Sequence, residues 1–225
     1  MNKIIAIIPV RAGSKGLPDK NIRDFCGSPL FYRAAQQGVM FADRCIVTTD
    51  IIPILDRRLS LPSGAELHSR PPELSTDQAP MDSVLLDVLS NVEFSGAVVI
   101  LLQATSPLRS IQDVKACLDL FNANKNSIVF TVTKSDPSIL KNGFLVDGVF
   151  SAVSDLDYLF QNRQLLPQTY KPNGAVYVFD RDQFIKNNGF SFDLASAVEM
   201  PEERSLDIDS LDDFLNAEIQ FSSLN

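Results

Sequence analysis

Two stretches of this chain carry charge closely enough spaced to do chemistry. The first is Pro9-Val10-Arg11-Ala12-Gly13-Ser14-Lys15-Gly16-Leu17-Pro18-Asp19-Lys20-Asn21. Its two glycines let the backbone approach a ligand and turn successive amides toward it, while Arg11, Lys15 and Lys20 place three cations within ten residues. That chemistry suits a polyphosphate, although a basic surface turn can have the same spacing. The second is Asp207-Ile208-Asp209, which puts two carboxylates on one side of an extended segment with an apolar residue between them. Anions held this close repel unless a cation lies between them, and a phosphate-bound magnesium ion, which takes one or two protein carboxylates, fits that need. An acidic loop capping a helix is the plainer alternative.

The elements around these stretches read as an α/β protein. Ile4-Ile5-Ala6-Ile7-Ile8 is a continuous apolar run, as a strand buried on both faces of a parallel sheet should be. Similar runs recur at Cys45–Thr48, Ala97–Leu102 and Ser127–Val132. Amphipathic stretches of helix length lie around them: Leu30–Phe41, Ile52–Leu59, Met81–Asn91 and Ile111–Asn124. This alternation predicts right-handed βαβ units in a three-layer α/β/α sandwich with a mostly parallel sheet, whose ligand sits at the carboxyl ends of the strands. From Ser135 to Pro172 the pattern turns polar and turn-rich, which predicts an arm too small to be an independent domain. The sheet pattern resumes at Ala175–Phe179 and is followed by a short helix near Arg181–Asn187. Ser210 caps a last helix over Leu211–Phe221, with Asp212 and Asp213 complementing its dipole.

Composition narrows the function. The 225 residues are 45% hydrophobic and 21% charged, as in an ordinary globular domain, and the net charge of −8 is a poor match for a nucleic-acid backbone. The sign is uneven. Met1–Arg44 holds seven basic and three acidic residues, whereas Arg181–Asn225 holds three basic and ten acidic, consistent with an anion-binding end and a cation-binding end of one site. Three cysteines without a C-x-x-C pair and a single histidine, His68, make a Cys/His zinc centre implausible. Without a serine motif of the nucleophile-elbow kind, His68 reads as a solvent-facing or hydrogen-bonded loop residue. Neither a Walker A motif nor a G-x-G-x-x-G is present. No apolar run approaches a membrane span or a signal segment, so a reduced, cytoplasmic protein is expected, with neither membrane nor nucleic acid as partner.

The order of blocks then points further. Strand-Arg-x-Gly-Ser-Lys-Gly-x-x-x-Lys-Asn resembles the signature of the acylneuraminate cytidylyltransferases, which join CTP to a nine-carbon 2-keto sugar acid. The resemblance continues through Arg70-Pro71-Pro72-Glu73-Leu74-Ser75-Thr76-Asp77, Leu101–Arg109, Asn173–Tyr177 and Ser205–Asp209, five blocks in order across the chain. It implies a nucleotide-diphospho-sugar transferase-like fold, with Mg2+ on Asp207 and Asp209. Arg11 and Lys20 would hold the triphosphate, helped by Lys15 and by the backbone of Ala12, Gly13, Ser14 and Gly16. Asn21 and Arg70 would lie near cytosine and ribose, with Ser83 a further nucleotide contact. A loop arginine paired with Asp77 or Glu73 is the plain alternative for Arg70.

By the same resemblance the sugar acid meets Gln103, Thr105, Ser106, Lys141, Arg163, Tyr170, Lys171 and Tyr177. Phe190 and Phe192 would wall its acyl group, unless they are simply core. Asp209 is the best candidate for a base, acting through a metal that lowers the pKa of the attacking group. Asp50 is a weaker candidate, because many members carry a second acidic residue where this chain has Ile51. Legionaminic, pseudaminic or octulosonic acid are alternative substrates, and a non-catalytic nucleotide-binding regulator is the alternative from another class. The arm, rich in Phe144, Leu145, Val149, Phe150, Tyr158, Leu159 and Phe160, is expected to reach across a two-fold axis in a homodimer, so that Arg163 and Lys171 complete the neighbouring subunit's sugar site.

Overall fold

A computed structural model describes residues 2–123 and 127–224. The apolar run at the start forms β1 (Ile4–Val10), and a two-residue pair, β2 (Asp24–Phe25) and β3 (Ser28–Pro29), leads into α1 (Leu30–Phe41). There follow β4 (Arg44–Thr49), α2 (Ile52–Leu55), β5 (Ala65–Ser69), α3 (Met81–Ser90), β6 (Val98–Leu102), α4 (Ile111–Ala123) and β7 (Ile128–Ser135). A hairpin of β8 (Gly143–Val146) and β9 (Val149–Ala152) precedes the long β10 (Thr169–Asp180). The chain then forms α5 (Arg181–Asn187), β11 (Ala195–Glu199) and α6 (Leu211–Leu224). Asn124, the expected end of the fourth helix, lies outside the described residues.

Seven strands make one sheet in the order β11-β7-β10-β6-β1-β4-β5. All neighbours are parallel except β10, which runs antiparallel to both β6 and β7. Alternation along the strands splits the core in two. Ala6, Ile8 and Val10 of β1 face Phe31, Ala34 and Ala35 of α1 and the Val114–Cys117 face of α4, whereas Ile5 and Ile7 face Leu85, Val88 and Leu89 of α3 and Phe184 of α5. This is the expected three-layer sandwich. A third, smaller core joins Leu17, Phe25 and Leu30 to Ile208 and to Phe214 and Ala217 of α6.

Several expected boundaries shift. Ile52–Leu59 holds only one helical turn, because Arg57 adopts φ 62°, a left-handed conformation that ends the helix. Two edge strands were not foreseen. β5 and β11 alternate polar and apolar residues at the sheet's margins, where one side of each strand meets water. The arm is shorter than expected, since Thr169 already pairs with Ser135 and Thr169–Pro172 belong to β10. Among the described residues no helix is long and apolar enough to cross a membrane.

Two helices start on the same device. Ser210 Oγ accepts from Asp213 N (3.1 Å) while the Asp213 carboxylate accepts from Ser210 N (2.8 Å), and Ser110 and Asp113 repeat the reciprocal cap at α4. Asp113 is buried and also accepts from Arg204 (Nη2 to Oδ1, 2.7 Å), tying α4 to the segment that leads into Asp207. Burial pushes the Asp113 carboxyl up, but the bonds from Arg204 and Ser110 outweigh it and the result lies below the ordinary carboxylate value. A depressed folded-state pKa contributes stability above the unfolded value of about 3.9 and loses it as pH falls through the folded value. Asp113→Ala should therefore cost roughly 2–3 kcal/mol at pH 7, less than for a fully enclosed pair because Arg204 is partly exposed. Denaturant titration should show the gap between variant and parent narrowing as pH drops below about 4.

Candidate active site

Four adjacent parallel strands end at one place: β1 leads to Arg11, β4 to Asp50, β5 to Arg70 and β6 to Gln103. The chain runs outward from β1 through β4 to β5, then returns by α3 to β6 on the other side of β1. The gap between the carboxyl ends of β1 and β6 is thus the point where strand order reverses, the place where open α/β sheets hold ligands. A cleft of about 360 Å3 opens there. Arg11, Ser14, Lys15, Gly16, Lys20, Asn21 and Arg70 line it with Gln103, Thr105 and Asp209, and so does Asp77.

The loop after β1 is braced on each side. Ala12 N donates to Asp50 Oδ1 (2.8 Å), and Asn21, itself buried, donates its Nδ2 to the Arg11 carbonyl (3.0 Å). Gly13 sits at φ 70°, where a side chain is strained, and a Cβ on Gly16 would come within 2.2 Å of the Asp209 carbonyl oxygen. Leu17 is buried against the third core. Lys20 is only 7% exposed, and its Nζ donates to the Ile208 carbonyl (2.5 Å) and pairs with Asp209 Oδ1 (3.0 Å). Ile208, fully buried, donates its own N to the Thr105 carbonyl (2.9 Å). One residue thereby joins the loop after β1 to the loop after β6.

Arg70 is 5% exposed and donates Nη2 to the Thr48 carbonyl (2.9 Å), while its Nε has no hydrogen-bond partner. It pairs with neither Asp77 nor Glu73. Burial lowers its pKa to about 10, with Asp50 opposing and Arg11 reinforcing that shift, so it stays charged at neutral pH. A charged donor buried without an acceptor is costly. His68 lies behind Arg70, on β5 rather than in a loop, within hydrogen-bond reach of Thr48 Oγ1 (3.1 Å) and 3.5 Å from the Asp87 carboxylate.

A second hollow of about 630 Å3 lies beyond the acidic segment, lined by Lys171, Asn173, Tyr177 and Asp207. The shift of register in β10 between Pro172 and Tyr177 forms one wall, with Gly174 at φ 76°. Asn173 fixes that bulge, accepting from Thr131 Oγ1 (2.6 Å) and donating to Ser205 Oγ (3.0 Å). Asp209 thus opens to the first cleft and Asp207 to the second, so the two carboxylates mark the border between them. Asp207 is exposed at the hollow, yet desolvation by its surroundings raises its carboxyl pKa. Repulsion from Asp209 adds to this, and a hydrogen bond from Thr105 and the charge of Lys20 only partly offset it. Burial, and then Asp207, raise the Tyr177 hydroxyl.

Other predicted residues lie elsewhere. Lys141 donates to the Gln161 carbonyl, Arg163 pairs with Asp136 at 3.0 Å, and Tyr170 stands half-exposed; none of the three lines either hollow. Ser83, in the first turn of α3, lines neither hollow, whereas Met81 reaches the first. Ser106 is buried with its Oγ unpartnered. Phe190 packs on Phe184 and Phe179 (ring centroids 5.0 and 5.1 Å), as a core aromatic would, while Phe192 is 60% exposed beside Phe130.

Sequence reasoning missed the positions of two charges. Arg109 is buried, its pKa lowered to about 9 by desolvation, and it donates to the carbonyls of Gln103 (3.1 Å) and Ala175 (2.7 Å), clamping the end of β6 to β10. Asp77 bridges Arg11 (2.5 Å) and Lys15 (2.6 Å).

This fold and cleft define a protein of the nucleotidyltransferase type. A family model described as cytidylyltransferase matches residues 5–191, and the chain belongs to that family. It is 35% identical, over 95% of its length, to the N-acylneuraminate cytidylyltransferase of Streptococcus agalactiae serotype III, but covers only 52% of that protein. The chain thus spans about half the length of the first curated relatives it matches. It is 28% identical to the CMP-N,N'-diacetyllegionaminic acid synthase of Legionella pneumophila, over 92% of this chain and 91% of that one. The solved structure of a CMP:2-keto-3-deoxy-manno-octonic acid synthetase complexed with CTP superposes with a TM-score of 0.72 across the whole of both chains at 16% identity, a likeness of fold.

The two loop glycines should respond differently to alanine. Gly13→Ala meets no neighbour and should cost about 1 kcal/mol for the left-handed backbone. Gly16→Ala must push the loop off the acidic segment and loosen Leu17 from Ile208, and should cost at least about 2 kcal/mol by equilibrium denaturation.

Proposed function

We propose that this chain transfers CMP from CTP to the anomeric hydroxyl of a nonulosonic acid, N-acetylneuraminate or a relative, releasing pyrophosphate. The observation that carries this reading is the meeting of two hollows at Asp207-Ile208-Asp209. One hollow is walled by cations suited to a triphosphate, the other offers Lys171 and Tyr177 to a hydroxylated acid. The names of the relatives support the cytidylyl donor and the sugar-acid acceptor. Arg11, Lys15 and Lys20 balance charge on the phosphates and on the departing pyrophosphate. Arg70 serves a base or ribose acceptor, and Lys171 pairs with the sugar carboxylate. Gln103 and Thr105, on the wall of the first hollow, orient the attacking hydroxyl toward the α-phosphorus for in-line displacement.

The donor set fits magnesium. Lys20 pairs directly with Asp209, and its charge only partly offsets the raised Asp207 carboxyl. Among the described residues no three acidic, histidine or cysteine side chains gather around one point, so two carboxylates would hold an ion whose other ligands are phosphate oxygens and water, the coordination magnesium prefers. When bound, Mg2+ would supply charge neutralisation at the reacting phosphate.

The arm supports a two-fold dimer. Phe144, Leu145, Val149 and Phe160 are each at least 66% exposed, an apolar surface that a second copy would cover, and Arg163 stands clear of its own chain's hollows, whereas Lys171 lines its own chain's second hollow and need not come from a neighbour.

Incubation with CTP, Mg2+ and a panel of sialic, legionaminic, pseudaminic and octulosonic acids tests the reading through pyrophosphate release; CTP binding without release from any acid leaves the regulator instead. Asp209→Ala should abolish turnover with CTP binding still measurable. Arg11→Ala should lower turnover at least about a hundredfold, the scale of one lost transition-state charge contact of roughly 3 kcal/mol. Near-normal rates for both variants would contradict these roles. For the shared site, inactive Asp209→Ala chains mixed with Arg163→Ala chains should regain part of the parent activity, and light scattering should report a dimer. Full activity from a dilute monomer would exclude the arrangement.

A further inference from the structure

The cations of the loop after β1 are already in use. Asp77, which follows the short turn Pro72–Leu74, sends Oδ1 to Arg11 Nη2 (2.5 Å) and Oδ2 to Lys15 Nζ (2.6 Å) inside the cleft. One carboxylate thus satisfies two cations of different length and reach, as a bridging phosphate would. Lys15 and Arg11 in turn hold the Asp77 carboxyl below its ordinary range. Asp77 is one-third exposed and belongs to no strand or helix, so it can swing out without disturbing the sheet. The other two polar cations of the cleft are tied differently. Lys20 is committed to Ile208 and Asp209, and Arg70 to the Thr48 carbonyl, so Asp77 caps only the pair at the mouth.

We propose that Asp77 is an internal counter-ion of this anion site, holding Arg11 and Lys15 until a polyphosphate displaces it and reclaiming them as pyrophosphate leaves. A ligand competing with a tethered carboxylate has its affinity reduced by the fraction of time the cations are free, so a contact formed nine-tenths of the time weakens binding about tenfold. The benefit is turnover: the same contact that weakens substrate entry speeds release of a highly charged product, and it keeps two like charges from repelling in the empty cleft. The assignment of pyrophosphate as a product rests on the function proposed above, whereas the competition itself does not.

Titration calorimetry with inorganic pyrophosphate as probe, in chelator and again in Mg2+, tests the competition without requiring catalysis. Asp77→Asn should bind pyrophosphate about tenfold more tightly than the parent in chelator, and the gain should shrink to less than about threefold in a Lys15→Gln background, where one of the two cations is gone. A melting temperature within a few degrees of the parent's confirms that the variant is folded, and Asp77→Ser serves as a second variant should the asparagine disturb the loop. Unchanged, weaker or undetectable pyrophosphate binding in the folded variants overturns the proposal, the weaker result pointing to a carboxylate that organises the cations for the ligand. Tightening in chelator with weakening in Mg2+ overturns it as well, since Asp77 would then serve the bound ion. Absence of any CTP turnover with pyrophosphate tightening intact would count against the proposed function alone.

Discussion

The loop after β1 and the acidic segment meet at the backbone of Ile208. Its N donates to the carbonyl after β6, its carbonyl accepts from the buried amine after β1, and its side chain fills the core beneath both. A lysine amine taken out of water needs compensation, and Lys20 receives it from one carbonyl and one carboxylate 188 and 189 residues away. The closeness of Gly16 to the Asp209 carbonyl has the same origin, since no side chain fits between two segments drawn together this tightly. The two carboxylates are therefore fixed by an apolar residue between them, with Asp209 paired to Lys20 and Asp207 beside Thr105.

That constraint explains the opposite charges of the two ends of the chain. The basic loop and the acidic segment are remote in sequence but share one small core of Leu17, Phe25, Ile208 and Phe214, so their opposite charges come together on a scaffold of apolar contacts. Their charges are only partly cancelled against each other. Lys20 meets Asp209, Arg11 and Lys15 meet Asp77, and Asp207 and the Nε of Arg70 remain without such a partner. The residues that carry these unmatched groups, Arg70 and Asp207, line the first and the second hollow, where unsatisfied polar groups mark a candidate site.

The sandwich, the parallel strands and the loop at the end of β1 were legible because buried strands write themselves as continuous apolar runs. The edge strands β5 and β11 were not, because alternation over five residues with a histidine or glutamate in it resembles a loop. Gly13, Gly16, Arg11 and Lys20 declared themselves by type and spacing. The separation of Asp207 and Asp209 into adjoining hollows did not, since it depends on the bulge at Asn173 and on a β10 that runs antiparallel, neither of which leaves a local signature. Arg109 and Asp77 were hidden for a similar reason. Each sat in a recognisable block, yet its partners come from other strands and loops, and a single charged residue in a loop names no partner by itself.

The topology also decides when such a site can exist. The sheet ends that carry Arg11, Asp50, Arg70 and Gln103 come from the first half of the chain and are set by near-neighbour parallel pairing. The acidic segment arrives only when a loop of nearly the whole chain closes, at an entropic cost that grows slowly with length but must be met before Ile208 rewards it. The cap of α6 at Ser210 and the Arg204–Asp113 pair flank that segment on both sides and hold it in register. The basic loop thus belongs to the half set by near-neighbour pairing, and the acidic segment joins it through long-range contacts. A fully formed site is therefore evidence that the whole chain has closed, because no fragment lacking α6 and its approach would bring a carboxylate to Lys20.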